Sequence, residues 1–288
     1  MHLGVQEHQI MLNTKLNWFT EEVKTDGVAA SWVIEKRVAH EITDYQTIEV
    51  FQTRDWGHLM VIDGCVMLTS RDNFLYHEML VHPALFAHPA PKRVLVIGGG
   101  DCGTLREVLG HATVESAVQV EIDEVVTRLA ERYFPELCER NADPRAELLF
   151  EDGLAYIKRQ VAGSLDVIIV DSTDPIGPAE GLFGPAFVAD CRRALAPGGI
   201  FVQQSESPLL HQDLIAGIRH NLSEAGFADI KTLGFPQPCY PSGWWSVTQA
   251  CVDGNLAAPE AARWQASGLR TRYYNPGVHA GALAMTLP

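Results

Sequence analysis

The chain has 288 residues, 47% of them apolar and 20% charged, with a mean hydropathy of −0.01. This excludes a collagenous, disordered or coiled-coil protein and predicts an ordinary globular core. Its 36 acidic against 22 basic side chains give a formal charge of −14. That balance disfavours nucleic acid and anionic membranes as partners and suits a cationic small molecule.

In chain order, residues 1–14 read as a leader outside the fold, expected to be disordered. They lack the basic and apolar regions of a secretory signal. No apolar run reaches the roughly 20 residues of a membrane-spanning helix. Residues 15–72 are predicted to form a small antiparallel β domain. VAASWVIE, TIEVFQT and HLMVI are strand-like, and Asp63-Gly64 marks a hairpin turn. Residues 73–288 are predicted to form a Rossmann-like domain, entered through an apolar helix from Phe74 to His88. Strands then alternate with amphipathic helices. The strands are RVLVIG (93–98), SAVQVEID (116–123), ELLF (147–150), DVIIVD (166–171) and IFVQQ (200–204). Five βα units in series predict a doubly wound, mostly parallel sheet. WWSVTQACV, after Pro-Ser-Gly, predicts added antiparallel strands in 227–288. Six cysteines, at 65, 102, 138, 191, 239 and 251, form no CxxC and read as reduced thiols of a cytoplasmic protein.

Ligands of open α/β sheets bind beyond the carboxyl ends of the strands. All five predicted strands end near a carboxylate: Asp101, Glu121 with Asp123, Glu151 with Asp152, Asp171 with Asp174, and Glu206. Asp123 and Asp152 also suit helix N-caps, but capping alone does not explain five in a row. Gly98-x-Gly100-x-x-Gly103 opens a helix after the first strand, with Glu121 at the end of the second. This pattern serves dinucleotides and S-adenosyl compounds alike. Asp101 separates them. Beside a pyrophosphate at the helix N-terminus it would repel; beside a sulfonium or ammonium it attracts. Glu121 can accept both ribose hydroxyls, and Asp152 an adenine amine.

His77-Glu78 is followed by His82, an H-E-x-x-x-H spacing that turns the second imidazole away from a zinc-binding face. No metal site is expected. The proline- and glycine-rich run from Ser172 to Phe183 suits a lid.

The combination VLVIGGGDCGTLREV, VEID, EDG, DSTDPIGPAEGLF and RYYNP resembles the spermidine synthase branch of the aminopropyltransferases. So do Tyr45-Gln46, Asp63-Gly64, RDNFLYHEM (71–79) and YPSG (240–243). The resemblance runs from about residue 17 to 285. It implies a small β domain on an S-adenosyl-type Rossmann-like domain. It also implies transfer of an aminopropyl group from decarboxylated S-adenosylmethionine to putrescine, giving spermidine and methylthioadenosine. Decarboxylated S-adenosylmethionine is then a co-substrate, and no cofactor or metal is implied. The expected assembly is a homodimer or homotetramer.

Carried over motif by motif, Gln46, Gly98, Gly100, Glu121, Asp152, Gly153 and Pro178 take the nucleoside. His77, Asp101, Asp171, Asp174, Tyr240 and Glu206 take the amine and aminopropyl groups. Asp171 and Tyr76 are the implied catalytic pair. Cys102 departs from the family's usual glycine, and Glu206 matches a less uniform position. The sequence leaves the acceptor's length open, with agmatine, cadaverine or spermidine as alternatives to putrescine. An NAD-dependent oxidoreductase and a catalytically silent polyamine-binding protein are the readings from other classes.

Overall fold

A computed structural model describes residues 16–175 and 177–285, apart from the side chain of Pro178. The leader lies outside the described residues. Strands β1 (Trp18–Val23), β2 (Val28–Ile42), β3 (Thr47–Thr53), β4 (His58–Ile62) and β5 (Cys65–Thr69) form an antiparallel sheet in sequence order. Asp63 and Gly64, at φ 49° and 88°, make the expected tight turn between β4 and β5. β2 is longer than its apolar run suggested, because its second half pairs with β3 through two register shifts.

Helix α1 (Asn73–Ala87) then leads into β6 (Arg93–Gly98), α2 (Gly103–Gly110), β7 (Ser116–Glu121), α3 (Glu124–Tyr133), β8 (Ala146–Phe150) and α4 (Gly153–Lys158). β9 (Leu165–Asp171), a 3-10 turn (Gly177–Phe183), α5 (Pro185–Ala194), β10 (Leu195–Gln204) and α6 (Gln212–Glu224) follow. β11 (Asp229–Pro236), β12 (Trp244–Cys251), α7 (Ala261–Ser267) and α8 (Pro276–Ala284) complete the described chain. The second sheet runs β11-β12-β10-β9-β6-β7-β8. β7 is parallel to β6 and β8, and β9 is parallel to β6 and β10. β12 runs antiparallel to β10, and β11 to β12. The two antiparallel strands were expected after residue 227; α7 and α8 were not.

Central strands are apolar on both faces because helices cover both. α1, α2 and the C-terminal segment pack on one face through Met79, Leu80, Val96, Ile169 and Tyr274. α4, α5 and α6 pack on the other through Ile97, Ile168, Phe187 and Leu222. Ile48, Met60 and Leu68 of the small sheet bury against Leu129 and Phe134 of α3 and the chain just after it. The order reverses between β6 and β9, where β6 is followed by β7 on one side but neighbours β9 on the other. That is where an open α/β sheet leaves a crevice. Among the described residues, no helix is long and apolar enough to cross a membrane.

Candidate active site

Gly98 and Asp171 are register partners at the carboxyl ends of β6 and β9. Gly98 has φ 81°, and a Cβ there would meet the Asp171 carbonyl oxygen at 2.1 Å. Only glycine allows the loop to leave the strand so close to its neighbour. A cleft of about 1080 Å³, open mouth included, starts here. Its walls include Gln46, Gly98, Gly100, Glu121, Asp152 and Gly153, together with Tyr76, His77, Asp101, Asp171 and Tyr240. A smaller cavity adjoins it through Tyr76, Ser172 and Tyr240, and adds Glu21, Asp174, Gln204 and Trp245.

Beside the end of β7, buried Glu121 accepts from the Asp123 amide at 2.9 Å. Burial, with the charge of Asp123 acting the same way, pushes its carboxyl up to about 7. Asp123 caps α3 through the Val125 amide and also accepts from Thr43 (2.7 Å) and Gln46 (3.0 Å). The cap thus fastens the β2–β3 turn of the small sheet to the cleft, a role sequence reasoning missed. Asp152 likewise caps α4 through the Leu154 amide while lining the cleft.

Beside the end of β9, the Tyr76 hydroxyl donates to Asp171 Oδ1 at 2.7 Å, and the Thr104 hydroxyl to Oδ2 at 2.6 Å. Burial raises the Asp171 carboxyl and the negative charge of Asp101 adds to it; His77 and the two hydroxyls oppose. Burial beside Asp171 raises the Tyr76 phenol well above its ordinary value, so it remains a donor. His77 Nε2 meets Asp101 Oδ2 at 3.1 Å, and the Gly103 amide donates to Asp101 Oδ1 at 2.7 Å. Gly103 is needed because a Cβ would sit 2.3 Å from the imidazole. Burial opposes both charges, yet each partner stabilises the other: His77 is raised and Asp101 lowered. His77, Asp101 and Asp171 bring one ligand atom each within 4.8 Å of the others.

Tyr240 offers its ring rather than its hydroxyl, which donates to the Met67 carbonyl at 2.6 Å. The ring lies 4.4 Å from that of Trp245. Asp174 reaches the smaller cavity, but Glu206 does not line it. Glu206 has φ 62° and turns back onto Gln204, whose side-chain amide donates to it at 3.0 Å. Burial and the neighbouring Asp174 push it well above the carboxylate range. Glu21 was missed in the sequence. It comes from β1, accepts from the Val66 amide at 3.0 Å, and is raised to about 7 by burial, with Asp174 adding to the shift. Nothing local in NWFTEEV marks it; only the packing of β1 beside β5's start brings it here. Ala179 and Leu182 of the 3-10 turn also line the cleft, placing the expected lid segment beside it.

Fold and cleft define a Rossmann-like α/β protein with an acidic crevice at the switch point of its sheet. The profile of the Spermine/spermidine synthase domain matches residues 73–256, and that of the Spermidine synthase tetramerisation domain matches residues 17–70. This chain belongs to the spermine/spermidine synthase family. The polyamine aminopropyltransferase of Xanthomonas euvesicatoria pv. vesicatoria (strain 85-10) is 58% identical over 273 residues, covering 94% of this chain and 96% of the relative. That of Xanthomonas campestris pv. campestris (strain B100) is 57% identical with the same coverage. A crystal structure of spermidine synthase in complex with the transition-state analogue AdoDATO superimposes with a TM-score of 0.91 at 33% identity, over 95% of this chain and 93% of that one. The spermidine synthase of Thermotoga maritima superimposes with a TM-score of 0.89 at 33% identity, over 95% and 92%.

Proposed function

We propose that this chain transfers the aminopropyl group of decarboxylated S-adenosylmethionine to putrescine, forming spermidine and methylthioadenosine. One observation carries the reading beyond family likeness. Tyr76, which donates to Asp171 in the glycine-loop cleft, also lines the acidic side cavity. A donor in the cleft and an amine in the side cavity would meet at that pair.

Gln46, Gly98, Gly100, Glu121, Asp152, Gly153 and Pro178 take the nucleoside in this reading. Asp101, positioned by His77, takes the aminopropyl ammonium. Asp174, Glu21 and the Tyr240 and Trp245 rings surround the far end of the diamine, with Glu206 behind Asp174. The reaction is an in-line displacement at the methylene beside the sulfonium. The amine lone pair forms the new C–N bond, and the C–S pair leaves on a neutral thioether. The leaving group arrives activated, so positioning and electrostatics supply most of the acceleration. A free alkylamine resembles Lys at about 10.4 and a free Asp about 3.9. Asp171, raised by burial and by Asp101, narrows that gap. It takes the proton as attack makes the nitrogen acidic, and Tyr76 orients the same nitrogen. Asp101 also disfavours the carboxylate of intact S-adenosylmethionine.

A tetrameric assembly through residues 15–72 is the accompanying reading. It is supported by the domain profile matched there and by exposed Trp18 and Ile42 on its sheet. Six free thiols suit a cytoplasmic setting. Mass-spectrometric turnover of decarboxylated S-adenosylmethionine with putrescine, cadaverine, agmatine and spermidine tests the proposal. Putrescine should give the highest kcat/KM; no methylthioadenosine with any amine would overturn the reading.

A further inference from the structure

We propose that Thr104 is a positioning residue of the reaction, fixing the Asp171 carboxylate so that its free lone pairs face the incoming amine. This rests on Asp171 acting as the proton acceptor proposed above. Thr104 is fully buried in the first turn of α2. Its hydroxyl donates to Asp171 Oδ2 at 2.6 Å, opposite the Tyr76 hydroxyl on Oδ1 at 2.7 Å. The Gly99 amide holds the Asp171 carbonyl at 2.7 Å. Two donors on opposite oxygens stop rotation about the terminal torsion of an aspartate, which is otherwise broad and soft.

A helical threonine ordinarily turns its hydroxyl back onto the carbonyl three or four residues earlier. Both of those carbonyls already have other donors. Gly100 O accepts from Thr127 Oγ1 at 2.8 Å and from the Cys102 thiol at 3.7 Å. Asp101 O accepts from the Cys138 thiol at 3.6 Å. Thr104 instead donates across to β9. The donated hydrogen bond also stabilises the charged carboxylate against burial and against Asp101, keeping more of it in the basic form.

Thr104→Val keeps the shape and removes the donor; Thr104→Ser keeps the donor and removes the methyl. With decarboxylated S-adenosylmethionine and putrescine, Thr104→Val should lower kcat about tenfold with KM for putrescine changed less than about twofold. Losing a donor to the charged form raises the Asp171 pKa, so the acid limb of the kcat/KM profile should move to higher pH. Thr104→Ser should recover most of the rate and the original limb. An unaltered kcat and acid limb in Thr104→Val would overturn the proposal, as would a loss in Thr104→Ser equal to that in Thr104→Val. Should Thr104→Val fail to fold, Thr104→Ala against Thr104→Ser makes the same comparison: equal losses overturn the proposal and recovery by serine alone supports it. The unmodified enzyme separates the two readings. Its failure to turn over would sink the proposed function, whereas a fully active Thr104→Val enzyme would sink only the role of Thr104.

Discussion

Helix α1 carries two buried polar clusters on opposite sides, and they differ in one respect. On the cleft side Tyr76 and His77 meet Asp171 and Asp101. On the far side Glu78 accepts from the amides of Arg272, Tyr273 and Tyr274 at 2.7, 2.9 and 2.7 Å. There His82 meets Glu107 at 3.2 Å and His111 at 3.0 Å. Burial works to raise Glu107, but His82 and Arg106 hold it down to about 2. Burial and His82 keep His111 well below its ordinary value, hence neutral. Residue types and burial are alike on both sides. The far cluster spends its acceptors on the protein's own backbone and side chains. Glu78 and Glu107 also line a cavity, with Arg106 and Arg272, but their oxygens are already taken; the near cluster lines the glycine-loop cleft and keeps carboxylate lone pairs unused. A perturbed, buried carboxylate marks a reaction site only where its remaining valence faces a place a ligand can occupy.

The sharpest way to break this contrast is Asp171→Asn. Turnover should fall roughly 10²–10⁴-fold, the scale for a positioned acid–base group, with methylthioadenosine affinity and melting temperature nearly retained. A large loss of melting temperature with an unaltered single-turnover rate would make Asp171 a structural residue like those behind α1. Glu78→Ala is the mirror experiment. It should cost roughly 3–5 kcal/mol of stability by stranding buried amides, while the rate per folded molecule stays unchanged. Denaturant unfolding paired with active-site titration checks both halves.

Glu121→Gln probes the nucleoside end. Methylthioadenosine should bind about 1.5–3 kcal/mol more weakly, the scale for hydrogen bonds to a charged group. Ribose hydroxyls donate to the ionised form, so affinity in the unmodified protein should weaken as pH falls through about 7. The variant should show no such step in calorimetry. The stability sign is opposite: the folded carboxyl holds its proton more tightly than the unfolded one. Ligand-free stability therefore declines as pH rises from about 4.3, its unfolded value, to about 7.

The smallest effect is expected at Cys102→Gly. Cys102 has φ 68°, which glycine adopts without strain. Its thiol, however, receives hydrogen bonds from Gln119 at 3.6 Å and Asn141 at 3.4 Å. The gain and the loss oppose each other. The melting temperature should move by no more than roughly 2–4 °C, equivalent to about 1 kcal/mol in a domain of this size. A larger shift would mean that the thiol holds the glycine loop in place.

The alternation of buried strands and amphipathic helices from residue 93 to 226 determined the parallel sheet by itself. A strand covered on both faces and a helix covered on one leave different local periods in the sequence. The glycine loop and the carboxylates ending each strand were legible for the same reason: strand order in an open sheet puts those ends along one edge. Motif likeness supplied Tyr76, His77 and Tyr240, which no local period marks. Only the tertiary structure decided which groups each carboxylate meets. It brought Thr104 to Asp171 across 67 positions and Gln46 to Asp123 across 77. It carried Glu21 from the small sheet to the side cavity and turned Glu206 away from it. Such contacts join elements remote in sequence through packing, which a local pattern of residues does not encode.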